Sequence, residues 1–436
     1  MPRESVHAYW LRAALSGAVG ALVFVLPAVN GPGPGPAPVV SAFGDGHATE
    51  VTSPAGTHVA PSTGLFATAC TSAGNCVAGG NYQAGSQPVE PVVARQSHGR
   101  WSRGIRLSLP PNAAQQPYSV VNGIACVSPG NCVAVGDYET GGVNSLQAFI
   151  ATESHGVWGR AFAPRLPGNS SAPASAQLGA VACTHGGFCE AVGSYQDSSG
   201  NDQIMAMARP VGGGWRAATE VAAPASAGAN PDAFVTGIAC TGPGSCVAVG
   251  NYSVSATRFS AMGVIESRGT WHQASGIATP RGAIPSTFTA ISSISCPAAG
   301  PCLGVGEYAV SATQSRAMSV TEVNGHFSAA TEITAVPPGA SLRPSTYLLG
   351  LSCTSPGTCL AVGGGRDRAG LSVGMYVTLS HGRWNAAFLP PPGAGTDGRG
   401  LSALYAVSCT GRDSCTAVGY YHDRAGHLRA QAASTR

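Results

Sequence analysis

The chain has 436 residues, with 23 basic and 20 acidic side chains and a formal charge of +3. Charged residues make up only 10% of it, and with no lysine in the sequence every basic side chain is arginine. Charge this sparse excludes the electrostatic surface that gathers nucleic acid or an anionic membrane, while 60 glycines and 32 prolines point to many tight turns between short strands.

Residues 1–42 stand apart. Arg3 and Arg12 precede an apolar run from Ala13 to Val29, and alternating glycine and proline follow from Gly31. Basic residues ahead of an apolar stretch are the layout of a secretory signal, with the small residues Val40-Ser41-Ala42 as one cleavage site and a cut nearer Ala28 as another. The alternative is an uncleaved anchor, for which 17 apolar residues lie at the short limit of a bilayer span. That anchor is the one route to a membrane. The expected product, residues 43–436, is secreted or held at the cell surface.

Beyond residue 42 a Cys-x5-Cys pair recurs seven times: Cys70/Cys76, Cys126/Cys132, Cys183/Cys189, Cys240/Cys246, Cys296/Cys302, Cys353/Cys359 and Cys409/Cys415. Successive pairs start 56 or 57 residues apart, and no cysteine is left over. A period this strict marks one repeat architecture, to be read from a single unit.

In residues 121–167, Val121–Cys126 is a short apolar run and Val127–Asn131 a turn built from Pro and Gly. Cys132–Tyr138 is a second strand, Glu139–Gln147 a polar loop, Ala148–Glu153 a third strand, and Trp158 opens a fourth after Ser154-His155-Gly156. No stretch carries an apolar stripe at helical spacing. Four-stranded antiparallel meanders repeated radially are propeller blades. The last repeat lacks its fourth strand, and Ala48-Thr49-Glu50-Val51 matches the fourth strand of repeat three, Ala218-Thr219-Glu220-Val221. The expected fold is therefore all-β, a single seven-bladed β-propeller with four antiparallel strands per blade, its last blade closed by an N-terminal strand. Asp45 stands where most units place Trp.

The cysteines of each pair flank a five-residue turn and face each other across a hairpin, where antiparallel neighbours lie about 4.5–5.5 Å apart, within reach of a disulfide. Zinc prefers convergent pairs, and here each pair sits on its own blade. Seven disulfides are expected, with no metal and no cofactor.

Two further positions recur. An aromatic follows the second cysteine by six residues at Tyr82, Tyr138, Tyr195, Tyr252, Tyr308 and Tyr421, and repeat six breaks the pattern with Gly363-Gly364-Gly365. Packing between blades, with each hydroxyl satisfied locally, is preferred over a sugar-stacking platform. Before the fourth strand stand Ser97-His98-Gly99-Arg100-Trp101, Ser154-His155-Gly156-Val157-Trp158, Ser267-Arg268-Gly269-Thr270-Trp271 and Ser380-His381-Gly382-Arg383-Trp384. Histidines repeated on separate blades cannot converge on one substrate, so they are read as turn residues.

The Ser-x-Gly-x-Trp turn resembles the Asp-box of BNR-repeat propellers, without the aspartate that names it. The repeated Cys-x5-Cys with Ala-Val-Gly resembles secreted repeat proteins of high-GC bacteria. The resemblance covers residues 46–436 and implies the fold. Some Asp-box propellers are sialidases or other glycosidases, but their arginine cluster and Tyr/Glu pair find no counterpart here residue by residue.

Loops between second and third strands, and connections between blades, are long and variable; the other turns are short and uniform. Binding residues concentrate on such loops. The candidates there are Asp137, Glu139, Asp197, Asp202, Glu307, Arg366, Asp367, Arg368, His422, Asp423 and Arg424. The expected function is that of a non-enzymatic module binding an extracellular carbohydrate or protein. A sialidase-like glycoside hydrolase or lyase is the alternative, requiring paired carboxylates near the channel. A scaffold for other exported proteins is a third.

Overall fold

A computed structural model describes residues 43, 48–55, 61–141, 146–284, 288–298, 300–341, 344–390, 392 and 401–435. The leader reading for residues 1–42 and the position of Asp45 lie outside them.

The described residues form seven antiparallel sheets and no helix. Each of the first six blades is a meander whose strands pair in chain order. The seventh has the order Ser402–Gly411, Ser414–His422, Leu428–Ser434 and then Thr49–Glu50 from the N-terminal side. Thr49 faces Ala432 and Glu50 faces Gln431, so the N-terminal segment supplies the strand missing from the C-terminus. Outer strands are short: in blades one, four and five they break into two pieces, as at Arg100–Trp101 and Ile105–Arg106.

The first strands of adjacent blades neighbour one another around the whole ring, including the step from Ser402–Gly411 to Pro61–Ser72. Serine hydroxyls stitch several of these steps. Ser295 Oγ accepts the Cys353 amide at 3.0 Å, Ser352 Oγ the Cys409 amide at 3.0 Å, and Ser408 Oγ the Cys70 amide at 2.9 Å. The last of these seals blade seven to blade one. Seven apolar cores lie between adjacent blades, and half-buried Trp101, Trp158, Trp215, Trp271 and Trp384 each pack toward the preceding blade.

Every first strand carries a β-bulge, which sets one residue out of register: Phe66, Asn122, Gly179, Thr236, Ser292, Leu349 and Tyr405. The bulge explains the recurring Ala-Val-Gly. A Cβ at Gly80, Gly136, Gly193, Gly250, Gly306, Gly363 or Gly419 would lie 1.9–2.0 Å from a first-strand carbonyl oxygen, and backbone cannot yield as a side chain can.

All seven cysteine pairs are disulfides, with Cα atoms 3.9–4.1 Å apart, closer than the strand spacing anticipated. The two cysteines of a pair are not equivalent, which the symmetric reading of a turn with two flanks did not foresee. The second is buried in every blade, at Cys76, Cys132, Cys189, Cys246, Cys302, Cys359 and Cys415, each 0–7% exposed, and the first is half-buried. The cause is strand order. The second cysteine lies on the second strand, which has a neighbour on either side: Cys76 pairs with Cys70 and Gln96, Cys189 with Cys183 and Arg209, Cys246 with Cys240 and Glu266, and Cys359 with Cys353 and Leu379. Cys189, Cys246, Cys302, Cys359 and Cys415 each join a core between blades. The staples thus anchor the packed interior through their second cysteines, while the first cysteines keep part of their surface.

The Ser-x-Gly-x-Trp turns place His98, His155, Arg268 and His381 at φ of 49–51°, each followed by a positive-φ glycine. Two successive left-handed residues make the tight turn that matches strand twist. The exposed histidines are thus turn residues, three of them within hydrogen-bond distance of the preceding serine hydroxyl.

The recurring tyrosines are buried between blades. Tyr195 donates to Glu220 at 2.6 Å, Tyr308 to Glu332 at 2.8 Å and Tyr421 to Glu50 at 3.0 Å. Burial, then donation to a carboxylate, pushes Tyr308 and Tyr421 up to about 12. The Thr-Glu of the closing strand is therefore the tyrosine's partner.

Candidate functional site

The two ends of the ring differ. At the disulfide end, the two turns of a blade are tied together: the amides of Gly99, Gly156 and Gly269 donate to the carbonyls of Gly74, Gly130 and Gly244, each at 2.9 Å. The same bond in three blades makes that face repetitive. At the other end the hairpins and connections vary.

Three of the candidate carboxylates hold their own hairpins. Asp197 Oδ1 accepts the amides of Ser199 and Asn201, Asp367 Oδ1 that of Leu371, and Asp423 Oδ1 those of Ala425 and His427. Burial lifts the Asp423 carboxyl, but bonds from Arg429 and those amides outweigh it and bring it to about 2. Glu139 Oε2 accepts the Tyr118 amide at 3.1 Å. Asp202 opens the third strand of blade three, its amide bound to Asn230. Arg368 and Arg424 are exposed on hairpin tips, and Arg366 ends the second strand of blade six.

Asp137 and Glu307 occupy the same repeat position, between Gly and Tyr, in blades two and five, and both are buried. Burial pushes Asp137 up to about 7 against the Asn122 amide, which donates at 2.7 Å; Glu139 raises it further. Burial likewise pushes Glu307 to about 7, opposed by a bond with Ser315. The structure therefore does not gather the candidates into one constellation. It spreads them over blades two, three, five, six and seven.

It does gather a set that the sequence reading passed over. Where blades two to five carry Asn122, Gly179, Thr236 and Ser292 at the bulge, and blade four has Phe234 two residues before it, blades six, seven and one carry Tyr347, Leu349, Tyr405, Tyr420 and Phe66 at or beside these positions. With Tyr118, Val120, Ala403 and Leu428, all but Tyr347 form one cluster drawn from blades one, two, six and seven. These four blades are consecutive around the ring, six, seven, one and two, and the cluster links their first strands along one side of the axis.

The rings of Phe66 and Tyr405 lie edge-on at 5.0 Å, those of Tyr405 and Tyr420 tilt at 5.6 Å, and His422 stands edge-on to Tyr420 at 5.9 Å. Burial, then the neighbouring Tyr420, Tyr347 and Tyr118 phenols, holds Tyr405 well above its ordinary value. Tyr347 is raised by burial, then by Tyr420; its hydroxyl bonds Ser372, with Glu307 and Arg366 within electrostatic reach. Tyr405 and Tyr420 are buried, while Tyr118, Tyr347 and His422 remain partly exposed.

Gly364 is what makes room for Tyr347: a Cβ there would lie 2.3 Å from its hydroxyl. Gly365 takes the place of the recurring tyrosine, and Phe388 fills that space, 3.3 Å from where its Cβ would be. The glycine run in repeat six was the one sequence signal pointing here, but its counterpart in the first strand was not legible.

At the opposite end, between blades three and four, a second pair of carboxyls is buried. Trp271 Nε1 donates to Glu190 Oε1 at 3.1 Å, and one oxygen each of Glu190 and Glu266 has no hydrogen-bond partner. Burial first, then the Glu266 carboxyl, pushes Glu190 up to about 8, opposed by Trp271 and Arg216; burial also raises Glu266. Among the described residues no three His, Cys, Asp or Glu side chains are grouped to hold a metal.

No family model and no curated protein matches the chain. Among solved structures it is similar to the Hadza microbial sialidase Hz136, at 12% identity and a TM-score of 0.46 over 86% of this chain. It is also similar to Trypanosoma rangeli sialidase with the inhibitor DANA, at 9% identity and 0.46 over 85%. The chain spans 66% and 54% of those two proteins. A protein of unknown function from Dyadobacter fermentans aligns over 89% of this chain and 98% of its own, at 10% identity and 0.48. The fucose-specific lectin from Aleuria aurantia aligns over 77% and 98%, at 13% identity and 0.39. These are likenesses of chain path, and no ligand is taken from them.

Proposed function

We propose that the chain is an exported, non-enzymatic binding module that takes a carbohydrate or a protein on its long-loop face. The observation that carries this reading is the contrast between the two ends of the ring. One is stapled and repetitive, and the other breaks the repeat in its loops and at the axis. Seven disulfides need an oxidising compartment, which supports reading residues 1–42 as the export signal, and no helix among the described residues is long and apolar enough to cross a membrane. A hydrolase would require a carboxyl pair on the loop face. Asp137 and Glu307 stand on separate blades, and the interacting pair, Glu190 with Glu266, is buried at the other end.

The test is a binding array of glycans and cell-wall polymers probed with oxidised protein from residue 43 onward. A signal that falls when Arg366, Asp367 and Arg368 are changed together supports the loop face. A signal that instead follows Arg100 or Arg383, on the disulfide face, sinks it.

A further inference from the structure

The seven blades are built on one plan, so a position that differs from its six equivalents answers to something other than the plan. At the bulge, blades two to five manage with Asn122, Gly179, Thr236 and Ser292. The asparagine and threonine cap the next blade's backbone, Asn122 on Leu178 O and Thr236 on Ile291 O. Aromatic residues are not needed to hold the ring. The side chains around Tyr405 also form a cluster separate from the main apolar core between each pair of blades. The aromatic residues concentrate on one half of the axis, while blades three to five place Ser194, Thr236, Asn251, Ser292 and Glu307 at these positions, with Phe234 of blade four as their one aromatic, at the place of Tyr347.

We propose that the long-loop end of the axis is a subsite for one neutral sugar ring, stacked on Tyr118 and Tyr347 and hydrogen-bonded by phenol hydroxyls and Glu307. This rests on the binding-module reading. The argument is one of chemistry. A pyranose has an apolar face and a rim of hydroxyls that both donate and accept. Phenols offer the same pair of features, an apolar face and a polar tip, and four of them belong to this cluster and its edge. Phenol hydroxyls are neutral at physiological pH, and burial moves Tyr347, Tyr405 and Tyr420 further from ionisation. An anionic sugar is disfavoured: it would bring its charge toward a carboxyl and neutral phenols, with Arg366 as the guanidinium next to Tyr347. A cation is disfavoured in turn, since Glu307 is only partly ionised near neutrality.

The probes are glucose, galactose and mannose oligosaccharides, with sialyllactose and polygalacturonate as the anionic arm, titrated calorimetrically into oxidised protein. A neutral oligosaccharide is expected to bind. Replacing Tyr347→Ala or Tyr118→Ala should weaken it at least about fivefold, since one stacked ring is worth about 1–3 kcal/mol, and Tyr347→Phe by a smaller factor. Arg100→Ala, exposed on the far face, should change nothing. Because the alanine variants open the axis, a second readout uses the unaltered chain: bound sugar should protect Tyr118 and Tyr347 from nitration. Binding confined to anionic glycans, or silence from every neutral one, overturns the proposal. Binding that survives both tyrosine changes but is lost with Arg366, Asp367 and Arg368 overturns the subsite and leaves the loop-face reading standing.

Discussion

Replacing Glu190→Gln should flatten the pH dependence of stability. Glu190 is 2% exposed and Glu266 is 5% exposed, and each keeps one carboxyl oxygen without a partner. Burial and the neighbouring Glu266 hold Glu190 near 8 in the folded ring, against 4.5 for the free side chain. The folded state therefore binds the proton more tightly than the unfolded chain. Stability is full below the unfolded value and falls as pH rises, levelling once the folded group has ionised near 8. At 1.36 kcal/mol per pKa unit the ceiling is about 4–5 kcal/mol, and an effective interior dielectric well above that of dry protein reduces it to about 2–3 kcal/mol. Denaturant unfolding at pH 5 and pH 9, followed by tryptophan fluorescence, reads this directly. The unaltered protein should lose that amount more than Glu190→Gln across the interval. Some slope remains in the variant, because Asp137 and Glu307 are raised with the same sign. Parallel slopes in the two proteins would refute the claim that burial at the seam holds Glu190 near 8.

Removing one staple by Cys126→Ala with Cys132→Ala should cost about 2 kcal/mol, the chain-entropy value for so short a loop, seen as a lower unfolding midpoint. Truncation through residue 53 strips Thr49–Glu50 from Leu428–Ser434 and the Glu50 carboxylate from Tyr421. The exposed edge should then drive self-association in size-exclusion chromatography, and a monomer as stable as the chain beginning at residue 43 would count against ring closure. Gly364→Ala should cost about 1–3 kcal/mol as an overpacked site and move the Tyr347 ring, read by the loss of its nitration protection. Asp423, held near 2, contributes stability present above its unfolded value of 3.8 and lost as pH falls through 2. Asp423→Asn should therefore abolish the part of the acid transition that amide exchange assigns to the Ala425–His427 turn.

The ring was legible because each blade repeats its own punctuation. The cysteine spacing supplied the blade count, and the match of Ala48–Val51 to Ala218–Val221 supplied the closure. That match has a physical cause, since Glu50 and Glu220 each take the hydroxyl of the tyrosine in their own blade. The axis was not legible. Tyr347, Tyr405, Tyr420, Phe66 and Tyr118 come from four repeat positions on four blades, only Phe66 and Tyr405 sharing one, and each alone reads as an ordinary core aromatic in a strand. The bulges that bring them together leave no residue pattern except the glycine beneath each one. Glu190 did leave a trace, since it stands where three other repeats have Val77, Val133 and Val247. Position-by-position comparison of the units, rather than a search for motifs, is what detects such a residue.

Seven-fold repetition also limits where chemistry can gather. A side chain repeated in every blade at the rim lies on a wide circle, so no two copies reach the same small ligand. The turn histidines and hairpin aspartates are placed this way. Only the first strands and the residues beside them approach the axis closely enough for blades one, two, six and seven to touch one group. Convergence there requires that the blades differ, because identical residues would crowd the axis evenly and leave no orientation. The chain meets that condition with bulky side chains concentrated on one side, mostly polar ones apart from Phe234 on the other, and Gly364 clearing space for Tyr347. Giving these positions the residues of blades three to five would leave the main core at each blade interface in place. What the aromatic residues add is an oriented surface at the one place where the ring can present it.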